Sequence, residues 1–247
     1  MRVDVLWTPG EAERVVWKGT TAVVIDVLRA STSILTALEA GARTAIPAES
    51  TEDALRMADS LGRGNVLLCG EREGRRIEGY DLGNSPLEYG ADAVRGATLI
   101  CSTTNGTVAM RRAGEAEAVL IGCFRNLAAV ADAVRRAGRP TIVACAGRLG
   151  RVSLEDALCA GLLVQALTNG ESVCELTDGA RSAAALGPAL GAPDEAFLSR
   201  TAAGAALTDI GLGADLAFCA ELDASETVPV LVNGGLVADA RAREDVT

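Results

Sequence analysis

Four short stretches of the chain concentrate side chains that could bind a phosphate group or a cation. In the first, Asp26 follows an aliphatic run, and Arg29 precedes the hydroxyls of Ser31 and Thr32. Arginine presents a planar fork of donors to a phosphate, and the first turn of a helix adds free N–H groups. This stretch therefore indicates an anion site beside an acidic residue. The alternative is that Ser31 or Thr32 only caps a helix and that Arg29 is solvated.

Three further clusters follow other aliphatic runs and share carboxylate, amide or hydroxyl groups with turn-forming glycines. Their candidate members are Glu71, Asp81 and Asn84 in the second cluster, Thr103, Thr104, Asn105 and Gly106 in the third, and Arg148, Glu155 and Asp156 in the fourth, with Arg125 after one more run. The third cluster lacks the Gly-Lys-Ser/Thr ending of a P-loop, so it does not imply a nucleotide. Together the clusters have the composition of a site for Mg²⁺ and phosphate.

Each cluster also has an ordinary structural interpretation. Asn105 and Gly106 could form a plain turn, and residues 78–86 could be a surface loop. Ser153 with Asp156 three positions later fits a loose capping box. Glu155 has no such structural role, which leaves it as a candidate for chemistry.

The 247-residue chain contains no histidine and a single lysine, Lys18. The absence of histidine excludes Ser-His-Asp triads, Cys-His pairs and HExxH zinc sites. Acid–base or metal chemistry must therefore use carboxylates, hydroxyls, cysteines, arginines or the one lysine.

The composition favours a soluble cytoplasmic protein that binds neither nucleic acid nor membrane. The formal net charge of −10, with no basic run, is unfavourable for nucleic acid or an anionic membrane. Seven cysteines without a CxxC spacing predict free thiols in a reducing compartment. No signal peptide is evident, and no apolar stretch approaches the roughly 20 residues of a membrane-spanning helix. A small anionic ligand would need local positive charge.

Short aliphatic runs alternate with helical stretches, which predicts a three-layer α/β fold with a largely parallel or mixed sheet and helices on both faces. We expect a single domain over residues 1–247, with a possible small C-terminal lobe from about residue 170. The predicted strands are 21–25, 65–69, 98–101, 118–121 and 141–145, and the helices between them are 31–40, 51–61, 107–113, 126–137 and 153–167.

The remaining predictions concern the two ends of the chain. Residues 1–6 are predicted as an edge strand, 181–190 and 195–206 as helices, and 228–238 as a hairpin around Asn233 and Gly234. The charged tail after Ala240 is expected to fray. Ligands of open α/β sheets bind beyond the carboxyl ends of the strands, so the four polar clusters are expected to converge.

In these same stretches the chain resembles the 2-phosphosulfolactate phosphatase family. The resemblance rests on VVIDVLRASTSILTALEAGA, GEREGRRIEGYDLGNSPLEY, STTNGT and CAGRLGRVSLEDALCAG, with a weaker continuation in LGADLAFCAELDASETVP. It implies Mg²⁺-dependent hydrolysis of 2-phosphosulfolactate to 3-sulfolactate and phosphate, a step of coenzyme M synthesis, although another short phosphorylated acid could be the substrate. By motif position, the functional residues it implies are Asp26, Arg29, Ser31, Glu71, Asp81, Asn84, Thr104, Asn105, Glu155 and Asp156.

The roles assigned to these residues follow from their chemistry, and attack by water on phosphorus is favoured over a covalent intermediate on Asp26. The predicted catalytic residues are Asp26, Arg29, Asn105 and Glu155; the predicted metal ligands are Asp26, Glu71, Asp81 and Asp156; and the predicted substrate-binding residues are Ser31, Thr32, Asn84, Thr103, Thr104, Gly106, Arg125 and Arg148.

Two other functions remain open from the sequence. Cys145 and Arg151 fit the C-x₅-R spacing of a cysteine-dependent phosphatase, although Val152 stands where a hydroxyl is expected. A non-catalytic protein that binds a phosphorylated acid would use the same strand ends. The protein could also be a homo-oligomer.

Overall fold

The computed structural model of the chain describes residues 1–169 and 174–238. The strands are β1 Arg2–Leu6, β2 Thr21–Ile25, β3 Thr44–Pro47, β4 Val66–Arg72, β5 Arg75–Arg76, β6 Thr98–Ser102, β7 Ala118–Gly122, β8 Thr141–Cys145, β9 Glu175–Leu176, β10 Pro229–Val232 and β11 Gly235–Ala238. The helices are α1 Ala30–Glu39, α2 Thr51–Leu61, α3 Ala91–Val94, α4 Gly106–Arg112, α5 Leu127–Ala137, α6 Leu154–Thr168, α7 Asp178–Leu190, α8 Glu195–Arg200, α9 Ala202–Asp209 and α10 Ala214–Ala220.

The strands form one mixed sheet in the order β5-β4-β6-β3-β11-β10-β7-β2-β8-β1-β9. Strands β4, β6 and β3 are parallel to one another, and so are β7, β2, β8, β1 and β9. Between these two parallel blocks lies the antiparallel hairpin of β10 and β11. The predicted mixed α/β sheet is confirmed.

Both faces of the sheet are covered, as the uninterrupted aliphatic strands predict. Alternate residues of a strand point to opposite faces, so β2 shows the two layers directly. Val23 and Ile25 lie in one core with side chains of α5, α6 and α7, whereas Ala22 and Val24 lie in another with side chains of α1 and α4. All five residues of β2 are buried. The strand therefore holds its carboxyl end rigidly in the centre of the molecule.

The inserted hairpin shapes the sheet so that the two parallel blocks share one site. It contacts each block through a single registered pair, Val230 with Leu120 and Leu236 with Ala45. Its antiparallel pairings reverse the strand direction between the blocks. Even so, Asp26 after β2 and Gly106 after β6 lie against each other. The carboxyl ends of the two blocks therefore meet at one site, although the blocks run in opposite directions.

The predicted strands, the predicted hairpin and the helix predicted at 181–190 are all present, but two predictions for the ends of the chain are wrong. Strand β1 is internal, because β9 pairs with it on the side away from β8. The helix predicted over 195–206 is two helices, since the Thr201 hydroxyl accepts the Gly204 N–H and starts α9 anew. The tail after Ala240 lies outside the described residues.

The C-terminal third packs on the main sheet through α7 to α10, whose buried side chains belong to the same core as Val23 and Ile25. The possible C-terminal lobe stays a prediction. Within residues 1–169 and 174–238, no helix combines the length and the apolar character needed to cross a membrane.

Candidate active site

A cavity of about 720 Å³ opens where the carboxyl ends of β2, β4, β6 and β8 meet. That volume lies in the usual range for small-molecule sites. The lining combines charged and polar residues with apolar ones. Its lining residues are Asp26, Leu28, Arg29, Glu71, Arg72, Glu73, Gly74, Asn84, Thr103, Thr104, Asn105, Arg148, Leu149, Ala203, Ala206, Leu207 and Ile210. All four predicted clusters contribute, so their predicted convergence is observed.

Asp26 is placed by the tight turn that joins β2 to α1. The Asp26 backbone N–H donates to Ser31 Oγ at 2.9 Å, and the Ser31 N–H donates back to the Asp26 carbonyl at 2.9 Å. The Ala30 N–H donates to Asp26 Oδ1 at 3.2 Å. These bonds fix the side chain while Oδ2 faces Gly106, so the carboxylate keeps one oxygen for a ligand.

Burial raises the pKa of the Asp26 carboxyl to about 7. Desolvation is the largest cause, and the negative charges of Glu71 and Glu155 act in the same direction. The hydrogen bond from Ala30 and the charge of Arg29 oppose them without cancelling them. A carboxylate whose pKa is raised this far is a recognised sign of a functional site. A bound cation would stabilise the ionised form of such a group.

Gly106 at the start of α4 leaves room for Asp26. A Cβ atom at this position would lie 2.6 Å from the Ala30 Cβ and 2.7 Å from Asp26 Oδ2. Both separations are shorter than van der Waals contact, so any larger residue would displace the carboxylate. Gly106, predicted as a substrate-binding residue, thus leaves the room that the Asp26 carboxylate occupies.

The change Gly106→Ala is expected to lower kcat about 100-fold or more while the protein stays folded, because a small displacement of a catalytic group costs this much. Steady-state kinetics with a circular dichroism melt checks the result. The matched control is Gly114→Ala, where a Cβ meets nothing within 4 Å. Equal activity of the two variants would contradict the role of Gly106.

Glu71 connects the loops that follow β4 and β6. Its Oε1 accepts the Thr104 N–H at 2.9 Å, and its Oε2 accepts the Gly74 N–H at 2.8 Å. The side chain is buried and lines the cavity. Glu71 therefore holds two flanking loops in place and adds a second carboxylate beside Asp26.

Arg29 is buried and held by an ion pair that the sequence analysis missed. Its Nη1 donates to Asp215 Oδ2 at 2.8 Å, and its Nη2 donates to the Gly74 carbonyl at 2.6 Å. Ser85 Oγ donates to Asp215 Oδ1 at 2.6 Å. An acidic residue in the apolar segment 214–220 was the available signal for Asp215, and it lies in the stretch of weaker family resemblance.

Asp156 binds the backbone around the site and does not line the cavity. Its Oδ1 accepts the Val27 N–H and its Oδ2 accepts the Gly147 N–H, both at 2.9 Å. Burial and the nearby charges of Asp26 and Glu155 raise the pKa of Asp156 well above its usual value. The carboxyl thus ties the end of β2 to the loop after β8, outside the lining of the cavity.

The capping box predicted for Ser153 and Asp156 is wrong. Ser153 Oγ donates to Glu155 Oε1, and its hydroxyl makes no capping bond to the start of α6. Glu155 is only 2 % exposed and is not among the described residues that line the cavity. It affects the site through its negative charge, which helps to raise the pKa of Asp26.

Four more of the predicted residues are engaged away from the cavity. Ser31 is fully buried against the Asp26 backbone, and the Thr32 hydroxyl donates to the Val27 carbonyl at 2.9 Å. Asp81 is exposed, and its Oδ2 accepts the Leu68 N–H at 2.8 Å. Arg125 is paired with Glu221, with its guanidinium 3.9 Å from the centre of the Phe218 ring.

The other predicted side chains do line the cavity: Asn84, Thr103, Thr104, Asn105 and Arg148. Arg148 is half-buried, and within the residues that the structure describes it forms no ion pair. Arg72, which was not among the predicted site residues, also lines the cavity. Its guanidinium donates to Ser102 Oγ at 2.9 Å.

The thiol of Cys145 is poorly suited to a cysteine phosphatase. Its side chain is buried in β8, and its Sγ lies 3.7 Å from the Asp156 carbonyl. Burial, and then the charge of Asp156, raises the pKa of this thiol well above its usual value. A nucleophilic cysteine needs the opposite shift, so the surroundings of Cys145 disfavour the cysteine mechanism.

The acidic side of the cavity fits a hydrated Mg²⁺ ion. Asp26 and Glu71 offer hard oxygen atoms of the kind that Mg²⁺ prefers. Burial first, and then the negative charges of Glu71 and Glu155, raise the pKa of Asp26 to about 7, and a bound cation would oppose both effects. In the described part of the chain, no three carboxylates or cysteines are close enough to enclose a metal. Mg²⁺ commonly binds through one or two carboxylates and keeps several waters, so this donor set suits it.

The fold and the site define an α/β protein whose strand ends combine carboxylates, arginines and backbone N–H groups, without histidine, around a small-molecule cavity. Comparison with known proteins gives the family. The family model for 2-phosphosulpholactate phosphatase matches residues 7–234, and the chain belongs to that family.

Curated relatives agree over nearly the full length. A protein of Thermotoga petrophila is 40% identical over 87% of this chain and 90% of its own. One of Deinococcus radiodurans is 41% identical over 86% of this chain and 88% of its own. One of Clostridium acetobutylicum is 33% identical over 96% of this chain and 100% of its own. Each is named a probable 2-phosphosulfolactate phosphatase. The family resemblance seen in the sequence motifs is confirmed.

Proposed function

We propose that this protein is a Mg²⁺-dependent phosphatase that hydrolyses the phosphate monoester of a small acidic substrate. The first substrate to consider is 2-phosphosulfolactate, because the relatives are named probable 2-phosphosulfolactate phosphatases. Its hydrolysis would give 3-sulfolactate and phosphate. Location in the cytoplasm and a place in coenzyme M synthesis stay predictions.

The observation that carries the proposal is the buried acidic centre of Asp26, Glu71 and Glu155 next to the cavity. An anionic ester would be repelled by these carboxylates alone. A cation between them and the ester makes the arrangement favourable, whereas a protein that only bound anions would gain nothing from extra negative charge. This argues for a metal-dependent enzyme over the non-catalytic binding protein.

Asp26 and Glu71 would hold the Mg²⁺ ion. When bound, it supplies positive charge that offsets the carboxylates and the charge developing on the phosphoryl oxygens. Asp26 lines the cavity with its Oδ2 beside Gly106, and Glu71 is already oriented by two backbone N–H groups. Little rearrangement of the chain is therefore needed on binding.

The chain's own residues position the ester and the attacking water. Arg29 is immobilised by Asp215 and Gly74, and its remaining N–H groups can donate to phosphoryl oxygens in the transition state. Asn105 and Thr104 add donors from the loop after β6. Water attacks phosphorus, the bond from phosphorus to the ester oxygen breaks, and the products are the hydroxy acid and inorganic phosphate.

The test is phosphate release from 2-phosphosulfolactate and phospholactate by protein treated with EDTA, before and after addition of Mg²⁺. Release that requires Mg²⁺ and persists in Cys145→Ser is the expected result. Release that ignores EDTA, or that disappears in Cys145→Ser while the protein stays folded, would overturn the proposal. No release from either ester would favour a binding role.

Arg148 is expected to bind the acidic end of the substrate, because it lines the cavity with its charge unpaired among the described residues. The change Arg148→Ala should raise KM about tenfold or more, the cost of a lost charged hydrogen bond, with a smaller effect on kcat. The control is Arg151→Ala in the same loop, an exposed arginine that lies outside the lining. Equal KM values for the two variants would contradict this role.

A further inference from the structure

The side chain of Asn84 is buried at the cavity without a hydrogen-bond partner among the described residues. It is 7 % exposed and lines the cavity, and its amide bonds to no described group. Asn126 shows the contrast, because its buried amide donates to the Ile121 and Thr227 carbonyls at 3.1 and 3.0 Å. Burial of an unbonded amide costs free energy. The Asn84 amide is therefore available to a ligand in the cavity.

The backbone around Asn84 is fixed by side-chain hydrogen bonds. Tyr89 Oη donates to the Gly83 carbonyl at 2.7 Å, and Glu88 Oε2 accepts the Gly83 N–H at 2.8 Å. Ser33 Oγ donates to the Asn84 carbonyl at 2.6 Å. A Cβ on Gly83 would lie 2.6 Å from Glu88 Oε1, so this carboxylate packs tightly on the backbone. The segment thus holds the Asn84 side chain on a rigid support, as a catalytic group requires.

The residue after Asn84 connects it to Arg29. Ser85 Oγ donates to Asp215 Oδ1, and Arg29 Nη1 donates to Asp215 Oδ2, so one buried carboxylate holds both segments. Asn84 also borders a small void with Ala30, the first residue of α1. Asn84 and Arg29 both line the cavity and are fixed relative to each other beside the first turn of this helix.

The chemistry of a phosphate monoester decides what the amide can do. An ionised phosphate offers strong acceptor oxygens, so an amide beside it presents its N–H groups. Donors that are already oriented stabilise the charge on these oxygens in the transition state. A neutral donor suits this place better than a carboxylate, because Asp26 and Glu71 already make the site acidic.

We propose that Asn84 is a catalytic residue whose Nδ2 donates to a phosphoryl oxygen in the transition state, and that Tyr89 is the positioning residue that orients it. This assignment rests on the proposed phosphatase function. Arg29 supplies a charged donor and Asn84 a neutral one. Since Asp215 bonds to both Arg29 and Ser85, the two donors keep a constant separation.

The first arm of the test compares Asn84→Ala and the isosteric Asn84→Asp with the wild-type protein, all with Mg²⁺ and 2-phosphosulfolactate. Loss of an oriented donor is expected to lower kcat about 100-fold or more in both, while KM changes less than about threefold. Orthovanadate imitates five-coordinate phosphorus, so its affinity, measured by isothermal titration calorimetry, should also fall about 100-fold. The affinity for inorganic phosphate should fall less than about threefold.

The control is Asn65→Ala, which removes an exposed amide that donates to the Gly96 carbonyl before β4 begins. It should leave kcat unchanged. A kcat within about threefold of wild type in either folded Asn84 variant, or an equal loss of vanadate and phosphate affinity, would overturn the inference. Absence of Mg²⁺-dependent release by the wild-type protein overturns the phosphatase function as well, whereas release that survives in the Asn84 variants overturns the role of Asn84 alone.

The second arm uses Tyr89→Phe, which keeps the buried ring and removes the hydroxyl bonded to Gly83. We expect kcat to fall about tenfold in the wild-type background and less than about twofold in Asn84→Ala, because a positioning group acts only through the group that it positions. Equal fold-changes in the two backgrounds would overturn the positioning role. The control is Tyr80→Phe, a buried tyrosine whose hydroxyl has no hydrogen-bond partner in the described part of the chain, and it should leave kcat unchanged.

Discussion

Replacement of Asp26 by asparagine is expected to lower kcat about 10³-fold or more, because it removes a carboxylate from the proposed cation site and several kcal/mol of transition-state stabilisation with it. The same change should stabilise the metal-free protein at alkaline pH. The folded-state pKa of Asp26 is about 7, above its usual value of 3.8. Loss of activity together with a gain in stability is the signature of a strained functional group.

The sign of this stability effect follows from proton binding. The folded protein holds the Asp26 proton more tightly than the unfolded chain, so the contribution of Asp26 is fully favourable below about pH 4 and is lost as pH rises through about 7. A shift from 3.8 to about 7 corresponds to at most about 4 kcal/mol. The asparagine side chain does not ionise, so the variant keeps its stability where the wild-type protein loses it.

Urea unfolding of both proteins in EDTA, at pH 5 and pH 8, measures this difference. We expect the free energy of unfolding of Asp26→Asn, relative to that of the wild-type protein, to be about 2–4 kcal/mol more favourable at pH 8 than at pH 5. Burial and the charge of Glu155 raise the pKa of Asp156 in both proteins, whereas the part of that rise caused by the Asp26 charge is absent from the variant and acts in the same direction as the expected difference. The control is Asp92→Asn at an exposed position. Its free energy of unfolding relative to the wild-type protein should change little between pH 5 and pH 8. A stability difference independent of pH would contradict the buried-carboxylate account.

Removal of the Asp215 carboxylate is expected to have the largest effect on stability. Asp215→Ala would leave the buried Arg29 guanidinium and the Ser85 hydroxyl without their shared acceptor. Breaking a buried ion pair from one side costs about 3–5 kcal/mol. For a chain of this length that lowers Tm by roughly 6–20 °C, and activity should fall because Arg29 is no longer held.

Two further variants separate the loss of a partner from the loss of the ion pair itself. The double change Arg29→Met with Asp215→Leu should recover much of the stability without activity, because apolar residues can replace a buried pair. Asp132→Ala breaks the exposed pair of Asp132 and Arg135 and should cost less than about 1 kcal/mol. Thermal melts that show equal losses for Asp215→Ala and Asp132→Ala would refute the assignment.

The fold and the polar side of the site were predictable because both follow local rules. Continuous aliphatic strands alternating with helices predict a sheet covered on both faces. Because ligands of open α/β sheets bind beyond the carboxyl ends of the strands, Asp26, Glu71, Asn105 and Arg148 were expected to lie together. The inserted hairpin was visible as a hairpin. Its place between two parallel blocks was not, since that depends on pairing between segments distant in the sequence.

The parts of the site that escaped sequence analysis depend on long-range packing. Asp215 lies 186 positions from Arg29, and nothing local marks the two as partners. The bond from the Gly204 N–H to the Thr201 hydroxyl starts α9 as a separate helix, and α9 contributes Ala203, Ala206 and Leu207 to the lining of the cavity. Conversely, Asp81 and Arg125 have side chains suited to a metal and an anion, but they lie away from the cavity. Asp81 accepts the Leu68 N–H, and Arg125 lies over the Phe218 ring.

Isothermal titration calorimetry with Mg²⁺ tests the central claim most directly, since it reports cation binding without any choice of substrate. We expect the EDTA-treated wild-type protein and Asp81→Asn to bind Mg²⁺ at pH 8 with equal affinity, and Asp26→Asn and Glu71→Gln to bind at least about tenfold more weakly. No binding by the wild-type protein, or undiminished binding by Asp26→Asn and Glu71→Gln, would contradict a cation site at the ends of β2 and β4.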